Sequence, residues 1–177
     1  MGTASLSRDH VILIDPNSAM MTVVGGKWTT YRKMAEDVVD QASVLAGLPQ
    51  SSCVTSSLRI HGYSENSETL GGLSFYGAAA ERVQALIDGN AEWGAPIHAD
   101  LAMTGAEVVW SCRYEMARTI DDVLARRSRS LLFDARAASE AAGTVGALMA
   151  IELRRDTSWI VDRIALFREL AESYIVS

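Results

Sequence analysis

The sequence predicts a mainly α protein in which a C-terminal helical bundle follows a β-hairpin and a strand–turn–helix segment. Three observations lead to this fold class. Two short apolar runs flank a turn signal near the start of the chain. A double glycine then precedes an amphipathic helical pattern. From residue 78 onward, segments with helical spacing follow one another with brief loops, which is typical of a compact helical bundle.

The predicted hairpin joins Val11–Ile14 to Ala19–Val24 through Asp-Pro-Asn-Ser, a strong turn sequence. Two strands alone are marginally stable in water, so we expect this hairpin to be the edge of a larger sheet. A helix is predicted after it, ending near Gly47 and Pro49. Its apolar face consists of Tyr31, Met34, Ala35, Val38, Val39, Ala42 and Leu45.

The turn between the second strand and this helix is Gly25-Gly26-Lys27. Such a turn suits a bound anion or the edge of a flavin, because the first N–H groups of a helix have no intrahelical partner and the helix dipole adds positive charge there. Glycine permits positive φ and lets a ligand approach the backbone closely. Lys27 adds a full cation. On spacing alone, a purely structural turn remains the alternative.

The second half of the chain begins with a helix predicted over Ala78–Asp88. Thr104 and Glu107 then have the spacing of a capping box, in which each side chain satisfies a free backbone N–H of the other residue. This box predicts a helix whose apolar positions extend to Met116.

A further short helix is predicted from Thr119 to the basic segment Arg126–Arg129, and Asp134 and Asp156 are expected to cap the last two helices. The arginines either stabilise a helix C-terminus or bind a phosphate or an acidic partner. Between the helices, we predict a loop over Ser64–Gly72, an irregular segment over Glu92–Asp100 and an apolar connector over Leu131–Phe133.

Composition excludes several functions. A net charge of −6 disfavours non-specific nucleic-acid binding. No apolar run approaches the roughly 20 residues that cross a bilayer. The first residues lack the features of a signal peptide, and we expect them to lie inside a longer polypeptide. The three histidines lack metal-ligand spacing, and Cys53 and Cys112 lack CxxC partners, so we expect no metal site and reduced thiols in a cytoplasmic setting.

Two separated motifs carry a family resemblance. The run Gly-Gly-Lys-Trp-Thr-Thr-Tyr-Arg-Lys-Met-Ala-Glu that starts at Gly25 resembles a signature of FAD-dependent glycerol-3-phosphate dehydrogenases, with Trp28 where the family usually has leucine. Asp122–Arg129 and the following Asp-Ala-Arg-Ala-Ala resemble a second signature of the same family, with Ser128 in place of threonine. Both motifs fall in the C-terminal part of the family pattern and occur here in the same order.

This resemblance implies oxidation of sn-glycerol 3-phosphate to dihydroxyacetone phosphate, with FAD as cofactor and electrons passed to quinone, or to oxygen in the oxidase branch. It also implies a peripheral contact with the inner face of the cell membrane, and a homodimer is a further expectation. The substrate-binding residues that it implies are Arg8 and Lys27, and the cofactor-binding residues are Gly25, Gly26, Lys27, Trp28 and Thr29. No catalytic residue is assigned.

By the same resemblance, residues 1–49 are the last segment, or remnant, of an FAD-binding α/β domain, residues 50–77 a linker and residues 78–177 the helical domain. The chain has no GxGxxG motif, so it cannot form a complete dinucleotide site. We therefore expect these 177 residues alone neither to bind FAD tightly nor to turn over substrate. The alternative function is a helical protein-interaction or oligomerisation module without a catalytic role.

Overall fold

The computed structural model describes residues 9–175, which form two compact units divided between Ile60 and His61. The predicted mainly α class is confirmed, since helices account for most of the regular structure and the described strands form two small hairpins. The strands are β1 (His10–Ile14), β2 (Met21–Gly25), β3 (Pro96–His98) and β4 (Leu101–Thr104). The α-helices are α1 (Tyr31–Leu45), α2 (Ala80–Gly89), α3 (Gly105–Tyr114), α4 (Ser130–Phe133), α5 (Ala135–Leu153) and α6 (Thr157–Glu172).

The first unit contains the predicted hairpin and the predicted helix. Strands β1 and β2 pair antiparallel, with Val11 opposite Val24 and Leu13 opposite Thr22. The turn forms because the Asp15 carboxylate accepts the N–H groups of Asn17 and Ser18, each at 2.8 Å. None of the residues 9–60 is buried, so the described part of this unit has no hydrophobic core of its own.

The second unit has a continuous core between α3, α5, α6 and the segment that follows α3. The central helix α5 is rich in alanine, and its small side chains let the neighbouring helices approach closely. Buried residues from four segments meet there: Val108, Leu124, Val145, Met149 and Phe167. A smaller apolar cluster packs α2 against α3.

Three predicted caps are confirmed. The Glu107 carboxylate accepts the Thr104 N–H at 2.7 Å, which closes the capping box of α3. Asp134 accepts the N–H of Ala137 at 2.9 Å at the start of α5. Asp156 accepts the N–H of Trp159 at 3.0 Å at the start of α6.

Four predictions of local structure were wrong. Residues predicted as loop belong to the 3-10 segment Ser67–Ala79, which bends at Gly71 and Gly77. The irregular prediction for Glu92–Asp100 missed a 3-10 turn and the β3–β4 hairpin, whose strands are too short for a periodic signal. The remaining two concern the end of α3 and the connector before α5.

Helix α3 ends at Tyr114, so Met116 does not continue its apolar face. Met116 adopts a left-handed conformation at φ 57°, and the N–H of Ala117 bonds back to the Ser111 carbonyl at 3.0 Å. The connector Leu131–Phe133 forms most of the single-turn helix α4. The predicted short helix after Thr119 is present as a π-helix over Asp122–Arg127.

Candidate functional site

The sequence-predicted site lies in the first unit, where β2 leads into α1. Gly25 and Gly26 both have positive φ, at 85° and 75°. A Cβ atom at Gly25 would lie 3.1 Å from the Asp9 carbonyl oxygen, in a conformation that side-chain-bearing residues rarely adopt. The N–H of Gly26 donates to the same carbonyl at 3.2 Å, which ties the turn to the start of β1.

Thr30 fixes the backbone of Lys27. Its hydroxyl accepts the Lys27 N–H at 3.2 Å and donates to the Lys27 carbonyl at 2.9 Å, while its own N–H donates to that carbonyl at 2.9 Å. Trp28–Thr30 form a 3-10 turn that leads into α1, and the first N–H bonded within this turn is that of Thr30. The N–H groups of Trp28 and Thr29 therefore have no intrahelical acceptor and resemble the donors that bind anions at helix N-termini.

Lys27 differs from the two other cations nearby. Arg32 pairs with Glu36 at 2.7 Å, and Lys33 pairs with Glu36 at 3.0 Å and Asp37 at 2.9 Å. The hydrogen bond from Arg32, and to a smaller extent the one from Lys33, lowers the pKa of Glu36. Within residues 9–175, the ammonium of Lys27 forms no ion pair. Lys27 thus keeps its charge available for an anion at the turn.

An exposed aromatic pair lies beside Lys27. The rings of Trp28 and Tyr31 stack with centroids 5.4 Å apart, and 86% of Trp28 is exposed to solvent. A flat, exposed pair of this kind offers a contact surface for a planar group or for a further protein segment.

The structure therefore brings five predicted residues together along one turn: Gly25, Gly26, Lys27, Trp28 and Thr29. The sixth predicted residue, Arg8, lies outside the described residues. Sequence reasoning missed the contact between His10 Nε2 and Asp37 Oδ2, 3.3 Å apart, which links β1 to α1. No local pattern joins a residue at a strand start to one on the second turn of a distant helix, so only the fold reveals this pair.

The basic segment of the second unit is largely engaged in internal contacts. Arg126 pairs with Asp121 and with Asp122, the latter at 3.0 Å. Arg127 donates to the Glu115 carbonyl oxygen. These contacts support the structural alternative for Arg126 and Arg127 and leave neither as a dedicated phosphate ligand.

Comparison with known proteins gives the family. A family model described as the C-terminal domain of alpha-glycerophosphate oxidase matches residues 18–159. The chain belongs to this family. The match spans the Gly-Gly-Lys turn, the π-helix and α5, and it confirms the resemblance to the C-terminal part of the FAD-dependent glycerol-3-phosphate dehydrogenases.

Curated relatives of this chain carry glycerol-3-phosphate dehydrogenase names. The mitochondrial protein SDP6 of Arabidopsis thaliana is 32% identical over 203 residues, which cover 97% of this chain and 32% of the relative. Glycerol-3-phosphate dehydrogenase 1 of Mycobacterium tuberculosis is 35% identical over 136 residues, covering 72% of this chain and 26% of the relative. The mitochondrial glycerol-3-phosphate dehydrogenase of Mesocricetus auratus is 33% identical over 171 residues, covering 85% of this chain and 23% of the relative.

The chain thus spans about a third or less of the length of these curated relatives. No α-helix within residues 9–175 has both the length and the apolar composition to cross a bilayer.

Proposed function

We propose that the chain is the C-terminal part of an FAD-dependent glycerol-3-phosphate dehydrogenase, which oxidises sn-glycerol 3-phosphate to dihydroxyacetone phosphate. The observation that carries the proposal is the family match over residues 18–159, which includes the Gly-Gly-Lys turn. Relatives over 72–97% of the chain bear the name glycerol-3-phosphate dehydrogenase, which supports the substrate.

The turn fits the edge of a flavin. Gly25 and Gly26 present backbone without side chains, and the N–H groups of Trp28 and Thr29 and the ammonium of Lys27 supply donors and positive charge. A planar ring that becomes more negative on reduction is stabilised by such groups. Under the proposal these five residues contact the isoalloxazine edge. Bound FAD supplies the hydride acceptor.

The substrate phosphate is the second anion to be held. Lys27 has no competing carboxylate among residues 9–175, so its Nζ can donate to a phosphate oxygen. Arg8 is proposed as the second cation, because two cations match a phosphate dianion. Lys27 then orients the substrate next to the flavin edge.

The first unit needs further structure around it to perform this role. None of the residues 9–60 is buried, and apolar side chains of β1 and β2 such as Val11, Leu13 and Val24 are exposed. A cofactor site on this unit would be open to water on several sides. The 177 residues alone are therefore proposed to be inactive, and activity belongs to a longer polypeptide.

Quinone as electron acceptor, peripheral contact with the inner face of the cell membrane and a homodimer belong to the same proposal. They follow from the family resemblance. The helical second unit, which has its own core, is suited to hold such partners, or to act as an interaction module if the catalytic proposal fails.

The first experiment adds FAD to the purified 177-residue chain, where only weak, non-stoichiometric binding is expected. A stoichiometric yellow complex that is bleached by glycerol 3-phosphate would show that this chain alone is sufficient. The second experiment uses the longer polypeptide that the proposal requires. Its flavin absorbance is expected to bleach on addition of glycerol 3-phosphate, and an unchanged spectrum would favour the interaction module.

The same polypeptide tests Lys27. Lys27→Met is expected to lower kcat/KM for glycerol 3-phosphate by about ten- to a hundredfold, because one charge-assisted hydrogen bond is lost. Lys33→Met is the matched control, since Lys33 already pairs with Glu36 and Asp37. Equal kinetics for both variants would remove Lys27 from the substrate site.

A further inference from the structure

A cavity of about 290 Å³ lies in the second unit, apart from the Gly-Gly-Lys turn. It is bounded by the 3-10 segment before α2, by α2 and by α3. Aromatic and charged side chains line most of it: His61, Phe75, Tyr76, Arg82, Trp110, Tyr114 and Glu115.

Arg82 contacts two aromatic rings of the cavity wall. Its guanidinium carbon lies 4.9 Å from the ring centroid of Trp110 and 4.5 Å from that of Tyr114. Both contacts are within cation–π range, and a guanidinium carries five N–H donors in a planar fork that suits a carboxylate. Within residues 9–175, no carboxylate pairs with Arg82.

The two carboxylates nearby are engaged elsewhere. Glu115 accepts the Trp110 indole N–H at 3.0 Å and lies 4.0 Å from Arg127. Glu107 accepts the Tyr76 hydroxyl at 3.3 Å and completes the capping box of α3. The cavity therefore combines aromatic walls with an arginine that pairs with no carboxylate among residues 9–175.

We propose that this cavity binds an organic carboxylate that carries a planar apolar group. The carboxylate takes two N–H donors of Arg82, the arrangement that a guanidinium favours, and the planar group packs against Phe75, Tyr76 and Tyr114. A cavity of about 150 Å³ already holds a benzene molecule, so 290 Å³ accommodates one ring and its carboxylate. Among the described residues, Arg82 is the only arginine or lysine that lines the cavity, and the Glu115 carboxylate also lines it, so the charge there matches a monoanion better than a phosphate dianion.

The test is a titration of the full 177-residue chain with benzoate, followed by NMR of the Trp110 indole N–H. A saturable shift of this signal is expected. Benzamide, which has the same shape without the charge, and acetate, which lacks the ring, are each expected to bind about tenfold or more weakly. A shift that does not saturate, or equal binding of benzamide, would overturn the proposal.

Two variants assign the effect to Arg82. Arg82→Gln is expected to weaken benzoate binding about tenfold or more. Arg82→Lys keeps the charge but loses the planar fork, so its affinity for benzoate should lie between those of Arg82→Gln and the original chain. Arg129→Gln removes another exposed arginine of the same unit and is expected to bind as the original chain does. Circular dichroism verifies that each variant is folded. Unchanged affinity in Arg82→Gln would exclude the site.

A comparison of benzoate with N-acetylphenylalanine distinguishes the two natural sources of such a group. Tighter benzoate binding identifies a free aromatic acid, and tighter N-acetylphenylalanine binding identifies the C-terminus of a polypeptide. All residues that line the cavity belong to the second unit. The result is therefore independent of the proposed dehydrogenase function, which depends on the first unit.

Discussion

The guanidinium of Arg113 and the carboxylate of Glu152 form a bidentate ion pair, with both N···O distances at 2.7 Å. The pair joins the last turn of α3 to the last turn of α5. Glu152 is largely shielded from solvent, at 10% side-chain exposure, so water screens this pair less than an exposed one.

Arg113→Lys is expected to lower the free energy of unfolding of the second unit by about 1 kcal/mol, because an ammonium cannot donate two parallel hydrogen bonds to one carboxylate. Urea denaturation of Arg113→Lys, Glu152→Gln and the double variant measures the coupling. The effects of the two substitutions should be clearly non-additive. Additive effects would mean that the bidentate geometry of arginine adds nothing to the stability that a Lys–Glu pair provides.

Two adjacent leucines provide a matched test of the core. Leu131 is 2% exposed and packs against the main core, while Leu132 is 63% exposed. Leu131→Ala should destabilise the second unit by about 2–5 kcal/mol, because it removes buried methyl groups and leaves a cavity. Leu132→Ala should change stability by less than about 0.5 kcal/mol. Similar melting temperatures for the two variants would contradict the position of α4.

The buried carboxyl of Glu107 makes stability depend on pH. Burial raises its pKa above the ordinary value of 4.5, although hydrogen bonds from Thr104 and Tyr76 oppose the shift. A carboxyl whose pKa is raised in the folded state makes its full contribution to stability at pH values below its ordinary pKa. That contribution is lost as the pH rises through the raised pKa.

Glu107→Gln keeps a side chain that can complete the capping box but removes the titrating proton. The stability of the original chain should therefore fall relative to Glu107→Gln as the pH rises from about 4.5 towards neutrality. Denaturation at a series of pH values gives this difference, and other carboxyls cancel in the comparison. A difference that is constant, or that changes in the opposite direction, would contradict the burial of the charge.

The sequence predicted those parts of the fold that depend on local chemistry. The capping residues Thr104, Asp134 and Asp156 act through backbone N–H groups within three residues, so their helices could be located. The end of α3 could not be located in this way. Met116 fits the apolar spacing, but the chain reverses there, with the N–H of Ala117 bonded back to the Ser111 carbonyl.

The 3-10 segment before α2 was missed for a different reason. Gly77 has φ 52°, and a Cβ at this position would overlap the Gly62 carbonyl oxygen. The segment therefore depends on a close backbone approach between residues 15 apart, and glycine alone does not reveal the contact. The Gly-Gly-Lys turn could be predicted as a possible site because its residues are contiguous, whereas the cavity at Arg82 needs α2 and α3 in place.

The two hairpins within residues 9–175 differ in how many of their side chains are buried. Each has two strands, but β3 and β4 bury Ile97, Leu101 and Met103, whereas no residue of β1 or β2 is buried. An isolated two-stranded hairpin is marginally stable in water, and amide exchange reports such local opening. In the 177-residue chain, amides of β1 and β2 should exchange close to the unprotected rate, while those of β4 and α5 should be strongly protected.

Native-state hydrogen exchange at several protein concentrations measures this contrast. Fast exchange that does not depend on concentration would show that the hairpin opens as a monomer. Protection of β2 that grows with concentration, together with a doubled mass in light scattering, would show that its unpaired edges join a second copy. Protection of β2 equal to that of α5 in a monomer at every concentration would mean that the first unit is stable without further structure. In that case, instability of the first unit could not explain the inactivity that we propose for the 177-residue chain.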